Sequence, residues 1–271
     1  MHKVGIMQGR VLPDRLDRLQ VFPSKWQREL QAISVIGFEF VELLYDREED
    51  HSNPLVTADH DKLDEALRNA RLVPMSICAD YFTKVNFFRD PPHQTWDVLS
   101  KLLYAADWLN VSYLVLPFFD QNILDDTKDL RAFISELQNR EMTSKLKNTT
   151  LCLESTLTAA QTIAVLGTGQ PGIRVCFDSG NTVAMGLDIA AEVLTLGNQI
   201  AHVHLKDRLA NNGPNVLLGS GAVDFTALFN ALRTVNYQGH FTLETAIGTE
   251  PSINAARHYN FIMETLKCLN S

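Results

Sequence analysis

Four residues in the second half of the chain have the types and positions to hold a cation together. Glu154, Asp178, His204 and Glu244 each close a short apolar run: Leu151-Cys152-Leu153-Glu154, Val175-Cys176-Phe177-Asp178, His202-Val203-His204 and Thr242-Leu243-Glu244. They lie 24, 26 and 40 residues apart along the chain. Three carboxylates and one imidazole form a hard-to-borderline donor set that suits Mn2+ first, with Mg2+, Co2+ or Zn2+ as alternatives. Taken singly, an acid at the end of such a run is more often a helix cap, and Asp178 ahead of Gly180-Asn181 is also ordinary turn chemistry. Four in succession are a different matter. Carboxylates set in apolar surroundings are costly unless a positive charge neutralises them, so one divalent ion shared by the four is the better reading.

For those side chains to converge, successive run ends must meet at one place. Aliphatic or β-branched runs recur at Lys3–Gln8, Phe38–Tyr45, Val73–Ala79, Ser112–Pro117, Thr149–Ser155, Ile173–Ser179, Ile200–Asp207 and Phe241–Ala246. Helix-compatible stretches lie between them, including Ser24–Ile36, Ala58–Arg71, His93–Leu109, Leu130–Leu146, Ile189–Leu196, Phe225–Val235 and Ile253–Leu269. Strand then helix, repeated about every 30 residues with nearly continuous apolar strands, is what a parallel sheet covered on both faces requires. About eight units in 271 residues match a single (β/α)8 TIM barrel, in which chemistry sits at the C-terminal strand ends. An open doubly wound sheet would announce itself with a glycine-rich first turn, which Gln8-Gly9-Arg10-Val11 does not supply. No linker or low-complexity segment divides the chain, so residues 1–271 read as one domain. Strand periodicity adds that Cys152 and Cys176, two residues before Glu154 and Asp178, share their inward face.

Composition narrows the partners. With 24 Lys+Arg against 32 Asp+Glu the formal net charge is −8, which argues against a nucleic-acid or anionic-membrane binder but not against a small substrate. The 45% hydrophobic content is ample for a core. No apolar run approaches the length of a membrane helix, and the first residues do not read as a secretory signal. Four dispersed cysteines without a CxxC pair indicate reduced thiols, so the expectation is a cytoplasmic protein.

The strand-end residues resemble those of the xylose-isomerase-like TIM-barrel superfamily of sugar isomerases and epimerases, and the likeness spans nearly the whole chain. Its most specific pieces are His202-Val203-His204-Leu205-Lys206-Asp207, Leu218-Gly219-Ser220-Gly221-Ala222-Val223-Asp224-Phe225 and Gly239-His240-Phe241-Thr242-Leu243-Glu244. The opening Gly5-Ile6-Met7-Gln8-Gly9-Arg10, followed by Glu42, is similar to sugar-phosphate isomerase/epimerase members. The resemblance implies metal ligation by Glu154, Asp178, His204 and Glu244, with Glu154 and Glu244 doubling as acid/base groups. It implies a small carbohydrate, sugar phosphate or hydroxy-keto substrate, contacted by Gln8, Arg10, Glu42, Asn181, Lys206 and Asp207. Many epimerases of the group carry a substrate-contacting His where this chain has Asn181, which can hydrogen-bond but cannot titrate near neutrality.

The chemistry agrees with the residues. Moving a proton on carbon beside a carbonyl needs a base and stabilisation of the resulting enediolate, which two carboxylates and a divalent ion supply. A dehydratase acting on a cyclic polyol would use the same chemistry to expel a β-hydroxyl. An endonuclease-IV-like nuclease would need a basic face and more than the eight His present. A non-catalytic barrel has no use for four ligands. Arg208 reads as a rim charge and His202 as a core histidine beneath His204. Residues 211–221 read as a loop over the substrate. Tyr81, Phe82, Phe87, Phe88, Phe118 and Phe119 are candidates for a pocket wall or for the contact of a homo-oligomer, dimer or tetramer.

Overall fold

Each of the eight apolar runs becomes a strand. In the computed structural model, which describes residues 2–88, 92–167 and 169–270, they are β1 (Val4–Met7), β2 (Phe40–Leu44), β3 (Val73–Cys78), β4 (Tyr113–Phe118), β5 (Thr150–Ser155), β6 (Ile173–Asp178), β7 (Ile200–Leu205) and β10 (Phe241–Leu243). All eight ladders are parallel, and β1 pairs with both β2 and β10, so the sheet closes into a (β/α)8 barrel. Two short strands, β8 (Asp207–Arg208) and β9 (Asn215–Val216), form a separate antiparallel hairpin after β7.

Side-chain alternation divides the core. Ile6, Val41, Leu43, Ile77, Leu114, Leu116, Leu151, Leu153, Val203 and Leu205 face outward into one large cluster with the helices. Met7, Leu44, Cys78, Val115, Cys152 and Cys176 face inward and form a second cluster inside the barrel. Cys152 and Cys176 therefore lie on the inner face with Glu154 and Asp178, as does Cys78. Gly5 leaves room in the barrel floor for Phe40, whose ring would lie 2.2 Å from a Cβ at that position.

Eight principal helices cover the strands: α1 (Trp26–Ile36), α3 (His60–Ala70), α4 (Pro92–Trp108), α5 (Thr127–Asn139), α6 (Ala159–Leu166), α8 (Ile189–Leu196), α9 (Phe225–Thr234) and α10 (Pro251–Asn270). On α1, Trp26, Leu30 and Ile33 turn one buried stripe to the barrel, each apolar side chain contributing about 1.5–3 kcal/mol. Among the described residues no helix is long and apolar enough to cross a membrane.

The structure departs from the sequence reading at several elements. The stretch read as a helix over Leu130–Leu146 stops at Asn139, because Glu141 turns to φ +54° and a 3-10 turn follows. Helix α6 fills the place between β5 and β6 that the alternation requires, outside the stretches named above, and Thr158 and Gln161 form a complete capping box at its start. Two short helices, α2 (Pro54–Thr57) and α7 (Ser179–Ala184), are further additions. The aromatic wall also needs correction. Phe82, Phe87 and Phe118 are almost fully buried and pack with Trp96 and Phe133 at centroid distances of 4.8–6.1 Å. Phe118 shares the outward parity of Leu114 and Leu116, so this cluster lies between barrel and helices rather than in the mouth.

Candidate metal centre

Strand register brings the three acids and the imidazole to one level. Asp178 pairs with His204 across β6 and β7, and Thr242 pairs with His204 across β7 and β10, which places Glu244 one inward step further along. Glu154 enters from β5. One ligand atom from each of Glu154, Asp178, His204 and Glu244 lies within 4.8 Å of the others, and all four residues are buried. His204 Nδ1 is 3.0 Å from Glu244 Oε2 and 3.5 Å from Glu154 Oε2.

Asp178 meets both descriptions of a strand-end acid. Its Oδ1 caps α7 by accepting from the Asn181 backbone N–H at 2.7 Å. Its Oδ2 is buried without an aligned hydrogen-bond donor, as are Glu244 Oε2 and His204 Nδ1. Buried lone pairs left unaligned are costly. Three of them, from two carboxylates and an imidazole, converging beside the third carboxylate, Glu154, fit a divalent cation.

Electrostatics points the same way. Burial pushes the Asp178 carboxyl up to about 7, although Lys206 opposes the rise. Burial also acts to raise Glu244, but Lys206 and His204 outweigh it and hold the group well below the usual carboxylate range. Lys206 Nζ sits 3.0 Å from Asp178 Oδ2 and 3.1 Å from Glu244 Oε2. Against the lowering effect of burial, those carboxylates raise Lys206. The Ser179 hydroxyl locks the base of that side chain, donating to the Lys206 carbonyl at 2.7 Å and accepting from its N–H at 2.9 Å.

Beneath this level Glu42 joins two histidines. Its Oε2 contacts His202 Nε2 at 2.8 Å and accepts from Ser76 Oγ at 2.6 Å, while its Oε1 lies 2.9 Å from His204 Nε2. Burial alone would raise Glu42, but the two histidines pull it well below the ordinary range. Burial opposes charge on the His204 ring, but Cys176, Glu42 and Glu154 outweigh it and hold the ring well above the ordinary histidine range. The carboxylate at Nε2 keeps one proton there, and a cation among Glu154, Asp178 and Glu244 would take the place of the other on Nδ1.

The remaining expected site residues are spread around the cluster. Gln8 accepts from Leu44 N–H at 3.2 Å and leaves its Nε2 buried without a partner. Arg10 is buried, donates to the Leu19 carbonyl and reaches within 3.9 Å of Glu244 Oε1. Asn181 donates to Glu154 Oε1 at 3.1 Å. Asp207 turns away from His204: its buried carboxylate accepts from the N–H groups of Gly219, Gly221 and Val223 at 2.8–3.2 Å. It ties down the loop after β7.

Sequence reasoning missed two residues. Gln20 donates to Glu244 Oε1 from an irregular loop, where no periodicity marks it. Glu29 accepts 2.9 Å hydrogen bonds from the N–H groups of Gly9, Val11 and Leu12 and so anchors the segment carrying Gln8 and Arg10. A signal existed for Glu29, since helical spacing places it on the stripe of Trp26, Leu30 and Ile33.

Comparison with known proteins is consistent with this architecture. L-ribulose-5-phosphate 3-epimerase UlaE of Escherichia coli K12 is 24% identical over 256 residues, covering 88% of each chain. The solved 3-keto-D-glucoside 4-epimerase of E. coli superposes with a TM-score of 0.69 at 18% identity, over 100% of this chain and 99% of that one. An L-ribulose 3-epimerase structure does so with a TM-score of 0.72 at 17% identity, over 100% and 96%. At such identities the structures speak for the fold alone. The family model of the xylose isomerase-like TIM barrel matches residues 30–263. On that match, which takes in seven of the eight barrel strands and every residue of the ligand cluster, the chain belongs to the xylose isomerase-like TIM-barrel family.

Proposed function

We propose that this protein is a divalent-metal-dependent epimerase or isomerase of a small ketose, ketose phosphate or related hydroxy-keto compound. The observation that carries the reading is the convergence of Asp178 Oδ2, His204 Nδ1 and Glu244 Oε2 as buried atoms without aligned partners, beside Glu154. The name of the E. coli relative, a ketose-phosphate 3-epimerase, supports the substrate class. A bound divalent ion, Mn2+ foremost, would polarise a carbonyl and its neighbouring hydroxyl and stabilise an enediolate.

The protein's own groups supply the rest. Glu154 and Glu244 enter from β5 and the end of β10, with two strands between them, and so approach a common substrate from different sides. One removes the proton from the carbon beside the carbonyl and the other returns it. Lys206 brings positive charge to substrate oxygens from beside Asp178 and Glu244. Gln8 has a spare amide donor for a hydroxyl. Glu42 acts from beneath through His204, and Arg10 and Gln20 steady Glu244.

Solvent-deuterium exchange with added Mn2+, across ketoses, ketose phosphates and hydroxy-keto acids, tests the reading. Deuterium entering a product isomeric with the substrate is the expected result, and loss of water would replace the epimerase with a dehydratase. Glu154→Gln and Glu244→Gln should each lower turnover by about 10²–10⁴-fold with the fold intact. Near-normal turnover in either variant removes that residue from the proton path.

A further inference from the structure

We infer that Arg208 and Asn181 form a two-residue relay that orients the Glu154 carboxylate, rather than a pair of substrate contacts. Arg208 Nη1 donates to Asn181 Oδ1 at 3.0 Å, and Asn181 Nδ2 donates to Glu154 Oε1 at 3.1 Å. A guanidinium has donors only, so the Asn181 atom facing it must be the carbonyl oxygen. The amide then has one orientation, with its NH2 group on Glu154. The carboxylate is divided as a result: Oε2 looks toward His204 Nδ1 at 3.5 Å, and Oε1 is held by the amide.

The fold fixes the far end of the relay. Arg208 Nε donates to the Gly213 carbonyl at 3.0 Å, and the Arg208 carbonyl accepts from Ala222 N–H at 2.8 Å. Hairpin β8–β9 pairs Arg208 with Asn215. Gly180 lets the side chain pass over the start of α7, since a Cβ there would stand 3.1 Å from Arg208 Cγ and 2.9 Å from Lys206 Cγ. A neutral imidazole at position 181 would also offer one acceptor and one donor, but on protonation it becomes donor-only, whereas the Asn amide keeps its acceptor for Arg208 at any pH. The Asn at this position is therefore suited to the relay and reserves a donor for Glu154.

Arg208 and Asn181 are positioning residues on this view, and the kinetic side of the inference rests on the epimerase reading. The structural side does not. In metal-free protein, the side-chain amide NMR signals of Asn181, assigned by their loss in Asn181→Ala, should shift in both Arg208→Met and Glu154→Gln. Arg208→Lys should return them toward their original positions. In the exchange assay, Arg208→Met should lower kcat by about 10–100-fold, with KM and the Mn2+ dissociation constant within about twofold. Combined with Asn181→Ala, it should cost no more than the larger single effect. Amide signals unmoved by Arg208→Met overturn the relay, as does a raised KM with kcat intact, which would make Arg208 a substrate-binding group. Should no compound in the panel exchange, the epimerase reading fails while the amide signals still decide the relay.

Discussion

Glu42 shows how one buried carboxylate can set the state of a residue it was not expected to serve. Read from the sequence as a substrate contact, it lies fully buried beneath the ligand cluster, shared by His202, His204 and Ser76. Glu42→Gln keeps the shape but loses the charge that holds the proton on His204 Nε2. Mn2+ affinity, measured by titration calorimetry, should then fall about 10–100-fold, and an unchanged affinity would show that His204 needs no such support. Single residues were legible where a pattern exposed them. Glu154 and Asp178 stand out because inward positions alternate with Leu153 and Phe177, which are outward and apolar. The partner of Asn181 is not legible, because Arg208 reaches this helix residue from hairpin strand β8, 27 residues away.

At the scale of elements, the segment between β7 and α9 is the clearest case of a loop held by one side chain. Asp207 accepts from three backbone N–H groups, two of them on glycines, and a Cβ at Gly221 would meet Asp207 Oδ1 at 2.1 Å. Asp207→Ala leaves those donors without an acceptor, with a cost of about 2–3 kcal/mol in urea unfolding and faster amide hydrogen exchange at Gly219, Gly221 and Val223. Exchange as slow as in the parent protein would show that other contacts hold the loop. The Gly-bearing composition of residues 211–221 marks a connector with a task, whereas the family resemblance implies a substrate contact for its anchor, Asp207. Neighbouring positions in sequence do not tell which way a side chain turns once its strand has ended.

Closure is a property of the whole molecule, and His258 on the last helix contributes to it. The ring is buried, with Nε2 3.2 Å from the Ala246 carbonyl beyond β10. Burial lowers its pKa to about 4, against the smaller raising effect of that hydrogen bond. The unfolded chain, with an ordinary histidine near 6.5, then binds the proton more readily than the folded one. Stability from this group is full above about pH 6.5, declines as pH falls toward 4, and levels off below. Between pH 7 and pH 5 the loss amounts to about 2 kcal/mol. Urea unfolding of His258→Gln should show that much less dependence on pH over this window, and an identical slope would remove His258 as its source.

Much of the barrel was legible because its cause is local and repeated. Apolar strands of similar length, separated by amphipathic helices at a regular period, have few ways to bury both faces of a parallel sheet. The strand-end acids followed from the same alternation, and in the structure they meet at one point. What the chain alone could not decide were contacts between residues far apart in sequence: Glu42 under His204, Glu29 under the first loop, Arg208 on Asn181, and the aromatic cluster turned outward from the mouth. Each depends on side-chain direction at a place where regular structure ends, and on which neighbour the closed barrel brings within hydrogen-bond reach. Periodicity determines which face a residue occupies. Only the packed barrel determines which partner it finds there.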